Sequence, residues 1–275
     1  MVDRRSLAVI GCGKMATAII AGLAAEGAKY NPLLLYDINQ MAVENLASVS
    51  GGQVATTMKE AITGAGIVLL AVKPQIIPLI IADLSTYLQS GQLIISIAGG
   101  VSTHYLEREL GQHPAVIRVM PNTPCLVGKG TLAVSKGNYV HETDLTAMDM
   151  LFNPLGQVTM VAEEQMDAVS ALSGCGPAYF LLVAEAMIDA GVEMGLSRPL
   201  ATKLVQGTLT GTGAMWEQSG EHPVVLKEQV TSPGGSTIAA LRVLEERGLR
   251  AAMINAVTRA AERTKEIGRS LGKGV

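Results

Sequence analysis

Aromatic residues make up only 3% of this 275-residue chain, with a single Trp. Its core must therefore be built from Ala, Val, Ile, Leu and the 13 Met. Charge is sparse too: 16% of residues are charged and the net charge is -3. So weak and mixed a charge argues against nucleic acid as a partner. Small anions stay eligible, because they need local donors rather than net charge. The cysteines, Cys12, Cys125 and Cys175, are odd in number and far apart, with no CxxC pair and no metal-ligand spacing. We expect reduced thiols in a cytoplasmic, metal-free protein. The opening "MVDRRSLAVIGCG" carries an apolar run too brief for a secretory signal. No stretch reaches membrane-spanning length without charge, so no membrane association is expected. Low-complexity segments and internal repeats are lacking as well. What is plentiful is apolar sequence, 48% of the chain, enough for a substantial core and two domains.

From Ser6 to about Val119, short runs rich in Val, Ile and Leu alternate with amphipathic segments. "SLAVI", "LLLYD", "IVLLAV", "QLIISIA" and "AVIRVM" read as buried parallel strands. Lys14–Glu26 and Gln75–Tyr87 read as helices between them. The alternation predicts an α/β fold: a Rossmann-like, doubly wound sheet. The first strand runs into "IGCGKMATAII", in which Gly11, Gly13 and Ala16 fill a G-x-G-x-x-A pattern. Such a loop turns tightly at the first glycine, admits a pyrophosphate at the second and packs a helix closely at the third position. Free N–H groups at the helix start, Lys14 and Met15, then face the anion. The alternative is a glycine turn without a ligand. Asp37 ends the second strand, where an acid commonly bonds a ribose 2′-hydroxyl and repels a 2′-phosphate. Its other reading is an N-cap for the helix beginning near Asn39.

Three later strands end in unusual loops: Ala71, Val72, Lys73 and Pro74; then Ala98, Gly99 and Gly100; then Met120 through Pro124, with Asn122 among them. In a parallel sheet these all fall at the carboxyl edge, where ligands bind. Taken singly, Lys73 is also readable as a solvated charge and Pro74 as a helix start.

Strand signals stop near Gln165, and the boundary is expected between Val161 and Gln165. This gives a dinucleotide domain over 1–162 and a helical domain over 163–275. In "PAYFLLVAEAMIDAGVEM", Glu185, Asp189 and Glu193 form one narrow stripe and almost everything else is apolar. A helix of that kind must be surrounded by protein. Gly207 and Gly211 are spaced to admit another backbone. The remaining helical chain is too short to wrap the first helix alone, so a second subunit is expected as cover. The alternative is a compact monomeric bundle. "TSPGGSTIAAL" is a turn opening directly into a helix; it is either a capped turn, with Ser236 or Thr237 as cap, or an anion dock.

"IGCGKM", "AVKP" at 71–74, "MPNTP" at 120–124, "LSGCGPAY" at 172–179 and "TSPGGSTIAAL" at 231–241 resemble, in order and over essentially the whole chain, the pyrroline-5-carboxylate reductases. The glycine fingerprint would fit many dehydrogenases; the last two motifs are the specific ones. The resemblance implies a Rossmann domain, an all-α dimerisation domain, and reduction of L-1-pyrroline-5-carboxylate to L-proline, usually with NADPH and sometimes with NADH. It also implies dimers, often assembled into decamers of five dimers. It places the substrate carboxylate on Ser232, Pro233, Gly234, Gly235, Ser236 and Thr237, with Ser173 nearby, and has Thr237 hydrogen-bond the ring nitrogen. It implies that the helix after Ser173 and Gly174 starts near that site, with Pro177 in its first turn. His104, His113, His141 and His222 read as solvated or structural, so substrate binding as the iminium, or protonation through water, is expected. Rival β-hydroxyacid dehydrogenases would carry a Lys in the first long helix, where this chain has only acids. A non-catalytic dinucleotide sensor would not need "SPGGST".

Overall fold

The computed structural model describes residues 6–27 and 29–271. By internal contacts the chain forms two compact units, Met1–Cys175 with Thr258–Val275, and Gly176–Val257.

The first unit is built on one eight-stranded sheet, in the order β3-β2-β1-β4-β5-β6-β7-β8. Its strands are β1 (Leu7–Ile10), β2 (Leu33–Tyr36), β3 (Gln53–Val54), β4 (Ile67–Leu70), β5 (Leu93–Ser96), β6 (Ala115–Met120), β7 (Gly130–Lys136) and β8 (Gly156–Met160). The helices between them are α1 (Lys14–Ala25), α2 (Gln40–Ser50), α3 (Met58–Thr63), α4 (Ile77–Tyr87), α5 (Thr103–Leu110) and α6 (Glu142–Phe152). The first six strands run parallel, as the continuous apolar runs predict.

Both faces of the sheet are covered, and the strand period decides which side chain goes where. Leu7, Val9, Ile67, Leu69 and Ile95 join Ile19 and Leu23 of α1, Leu46 of α2 and Leu151 of α6 in one core. Ala8, Ile10, Val68, Leu70 and Ile94 join Ile62 of α3, Leu84 of α4 and Leu106 of α5 in the other. The chain changes faces between β1 and β4, which makes the gap beyond their carboxyl ends the switch point where such sheets take ligands.

The sheet is not wholly parallel: β7 returns antiparallel to β6. The segment joining them is too short for a parallel crossover, which needs roughly a dozen residues or more. β8 then runs parallel to β7, with α6 as its crossover.

After β8 the chain is helical from Glu163 to Glu193. Within that stretch lie α7 (Met166–Val169), a π-turn over Ser170–Gly174 and α8 (Gly176–Glu193). α8 starts at Gly176, with Pro177 in its first turn, directly after the π-turn, in which the Cys175 N–H donates to the Ser170 carbonyl at 3.0 Å. This run is long and apolar enough by composition to cross a membrane, which qualifies the expectation that no stretch is. Polar Ser170 and Ser173, two glycines and Pro177 in its middle are poor lipid-facing sequence.

The second unit continues with α9 (Arg198–Ser219), α10 (Pro223–Gln229), α11 (Ser236–Glu246) and α12 (Leu249–Leu271), whose residues from Thr258 on belong to the first unit. α8 packs along α9, and the close approach comes where Gly191 meets Ala201: a Cβ on Gly191 would stand 3.1 Å from the Ala201 methyl. Gly207 and Gly211 have no neighbour of this kind within 4 Å.

Candidate active site

At the carboxyl edge of the first unit, β1 ends with the Gly11 N–H donating to the Tyr36 carbonyl at 2.8 Å. Gly11 has φ +98°, and a Cβ there would lie 2.9 Å from the Ala71 carbonyl. Only glycine fits this crossing of two strand ends. Gly13 is the N-cap of α1, with no side chain capping the helix. A Cβ on Gly13 would meet nothing within 4 Å, so the space before the helix start is open. Lys14 is exposed and Met15 half-buried at this start, while Ala16 is fully buried against the sheet. Unsatisfied N–H groups beside open space are what an oxyanion requires.

Asp37 lies just beyond β2. Its Oδ2 accepts from the Cys12 N–H at 2.7 Å and its Oδ1 from the Asn39 N–H at 2.9 Å. It therefore ties the glycine loop to the turn after β2. It does not cap α2; that cap is Asn39, whose Oδ1 accepts from the Ala42 N–H at 3.3 Å. Burial, with the Asp37 charge nearby, pushes the Cys12 thiol up to about 12. An un-ionised thiol has no nucleophilic part to play.

Ala71 and Val72 continue from β4 half-buried, Lys73 is exposed, and Pro74 opens a short 3-10 turn ahead of α4. Ala98 is buried, and Gly99 has nothing within 4 Å of a would-be Cβ. The predicted dinucleotide residues thus share one sheet edge. A dinucleotide fits them: an uncapped helix start, open space at Gly13 and an acid at the second strand end.

Asn122, beyond β6, is 7% exposed. Its Nδ2 donates to the Ser173 carbonyl at 3.1 Å, and its Oδ1 accepts from the Thr131 N–H at 2.9 Å. Its side chain holds the β6–β7 loop against the π-turn. The Ser173 hydroxyl donates back to the Val169 carbonyl at 3.1 Å. Sequence reasoning missed this π-turn. The clustered small residues of "LSGCG" were its only signal, and a Cβ on Gly174 would stand 2.6 Å from the Met120 methyl.

In the second unit, the Gly235 N–H donates to the Ser232 carbonyl at 3.1 Å, with Gly234 at φ +66°. Ser232-Pro233-Gly234-Gly235 is a type II turn by these criteria: proline second, left-handed glycine third. α11 starts on it. The cap is Gly235, and neither Ser236 nor Thr237 caps the helix with its hydroxyl. The capping reading of those hydroxyls is therefore wrong: both lie inside the first turn. Ser232, Pro233, Gly234 and Ser236 are exposed and Thr237 is half-buried. Ser173 belongs to the first unit and the 232–237 turn to the second.

The side chains of two of the four histidines, His222 and His113, make local contacts. The His141 backbone N–H donates to Asp144 Oδ2 at 3.0 Å at the start of α6. The His222 Nδ1 accepts from the Val224 N–H at 3.3 Å at the start of α10, and the His113 ring lies against that of Tyr139, tilted by 45° with centroids 4.5 Å apart. Among the described residues no cluster could hold a metal ion.

The family model for pyrroline-5-carboxylate reductase dimerisation matches residues 163–267, and one for NADP oxidoreductases, coenzyme F420-dependent, matches residues 6–100. The pyrroline-5-carboxylate reductase of Synechocystis is 40% identical over 96% of this chain and 98% of its own length. That of Arabidopsis thaliana is 38% identical over 95% of each. The crystal structure of Plasmodium falciparum pyrroline carboxylate reductase, with NADP bound, superimposes with a TM-score of 0.88 at 34% identity, covering 96% of this chain and 98% of that one. With two folded units carrying the predicted motifs and relatives matched over at least 95% of its length, this chain belongs to the pyrroline-5-carboxylate reductase family.

Proposed function

We propose that the protein reduces L-1-pyrroline-5-carboxylate to L-proline, the last step of proline biosynthesis, with NADPH or NADH as hydride donor. The observation that carries this reading is the pairing, in one chain, of an uncapped glycine-loop helix start beside Asp37 with an uncapped helix start at the Ser232–Gly235 turn. The reaction adds a hydride to the imine carbon C5 and needs one proton on the ring nitrogen. The dinucleotide, when bound, supplies the hydride. The first-turn amides of α1, with Gly11, Gly13, Lys14 and Met15, receive its pyrophosphate, and the loops 71–74 and 98–99 and Asn122 frame the rest.

The amides of Ser236 and Thr237 take the substrate carboxylate, supported by Ser232. Thr237 holds the ring nitrogen through its hydroxyl. The proton arrives with the substrate as an iminium or through water. Orientation of this kind is worth up to ~7–11 kcal/mol in the best-aligned cases.

The second unit is the face of a homodimer, with a decamer of five dimers as the larger assembly. Phe180, Leu181 and Leu182 on α8 are 59%, 65% and 67% exposed in the single chain. An apolar face of this size calls for a protein partner, and a second copy supplies one. The free thiols suit a cytoplasmic setting. The test is oxidation of the reduced coenzyme on addition of L-1-pyrroline-5-carboxylate, with proline as product; coenzyme binding without turnover would reject the reading.

A further inference from the structure

We infer that this chain is built to prefer NADH over NADPH, with Asp37 as the discriminating residue. The inference rests on the dinucleotide site proposed above and runs against the NADPH that the family resemblance implies. Asp37 is not a loose surface acid: the Cys12 and Asn39 backbone amides fix its carboxylate, at 2.7 and 2.9 Å. Each oxygen keeps a lone pair beyond those bonds, so the carboxylate can still accept from the ribose hydroxyls. A 2′-phosphate in the same place would meet a fixed negative charge.

Among the described residues, the chain on either side of Asp37 offers a phosphate no cation. No Lys or Arg occurs between Lys29 and Lys59, a span that includes β2, α2 and β3. Lys59 itself lies over the Tyr87 ring, 5.9 Å from its centre. The nearest side chains along the turn are Ile38, Asn39 and Gln40. Asn39 caps α2, and Gln40 Nε2 donates to Glu44 at 2.9 Å, placing a second acid on the same helix face. Ile38 is 92% exposed, an apolar side chain standing where a phosphate-binding site would place a cation. Lys14 and Lys73 are placed elsewhere along the edge, at the start of α1 and on the loop after β4.

Equilibrium titration of the protein with NADH and with NADPH, read by coenzyme fluorescence, tests this without turnover. Because the fixed acid repels the 2′-phosphate, wild type should bind NADH about tenfold more tightly or better, a difference of roughly 1.4 kcal/mol. The double variant Asp37→Ser with Ile38→Arg should reverse the order, and Ile38→Arg alone, which leaves the two amide bonds in place, should narrow it. Equal or tighter binding of NADPH by wild type overturns the inference, as does a ratio unmoved by both variants. If neither coenzyme binds, the dinucleotide site itself is wrong and the inference falls with it.

Discussion

Gly11 and Gly13 stand two residues apart and predict opposite outcomes. Gly11→Ala forces a methyl to 2.9 Å from the Ala71 carbonyl at a φ of +98°, so it should destabilise the fold by more than about 1 kcal/mol. Thermal unfolding would read that loss. Gly13→Ala meets no protein atom within 4 Å, so its unfolding midpoint should stay near wild type while dinucleotide affinity falls about tenfold or more, because the methyl occupies the phosphate's space. A titration separates the two. Thr237→Ala should lower turnover strongly and leave coenzyme affinity near normal; unchanged turnover would remove Thr237 from the mechanism. Cys12 adds a pH dependence. Its pKa is raised from 9.0 to about 12 by burial first and the Asp37 charge second. The folded state then keeps a proton that the unfolded chain loses, so this contribution is complete below pH 9 and is lost as pH climbs toward 12. Cys12→Ala should flatten the fall in thermal midpoint over that window.

Among the helices and strands, what could be read in the sequence was what local pattern dictates. The parallel strands β1, β2, β4, β5 and β6 and the helices α1, α8, α9 and α11 follow from apolar periodicity and glycine punctuation. β7 was hidden because its direction is set by the shortness of the β6–β7 link, which no periodicity records. The π-turn was hidden because one extra residue per turn leaves no mark on composition. The cap of α11 was misassigned because serine and threonine are the usual caps, whereas here the turn itself delivers Gly235 to that position. Asn122 joins the two features that pattern missed. Its buried amide bridges the Thr131 N–H and the Ser173 carbonyl, so Asn122→Ala should cost about 1–3 kcal/mol in urea unfolding, the penalty of stranding buried polar groups.

Taken whole, the chain has a helical half that is conspicuous already in sequence: too apolar for the length available to cover it. The structure gives that excess an address, with Phe180, Leu181 and Leu182 exposed on α8 and Gly207 and Gly211 without close neighbours on α9. Sedimentation should therefore find no stable monomer, and Leu181→Arg should shift the protein toward monomer and lower its activity. A wild-type monomer would contradict a shared apolar face. The reductase assignment is tested most directly in a single mixture of the protein, reduced coenzyme and L-1-pyrroline-5-carboxylate, with coenzyme and proline both followed. One proline should form for each coenzyme oxidised; a protein that binds the coenzyme and leaves it reduced would contradict the reductase assignment.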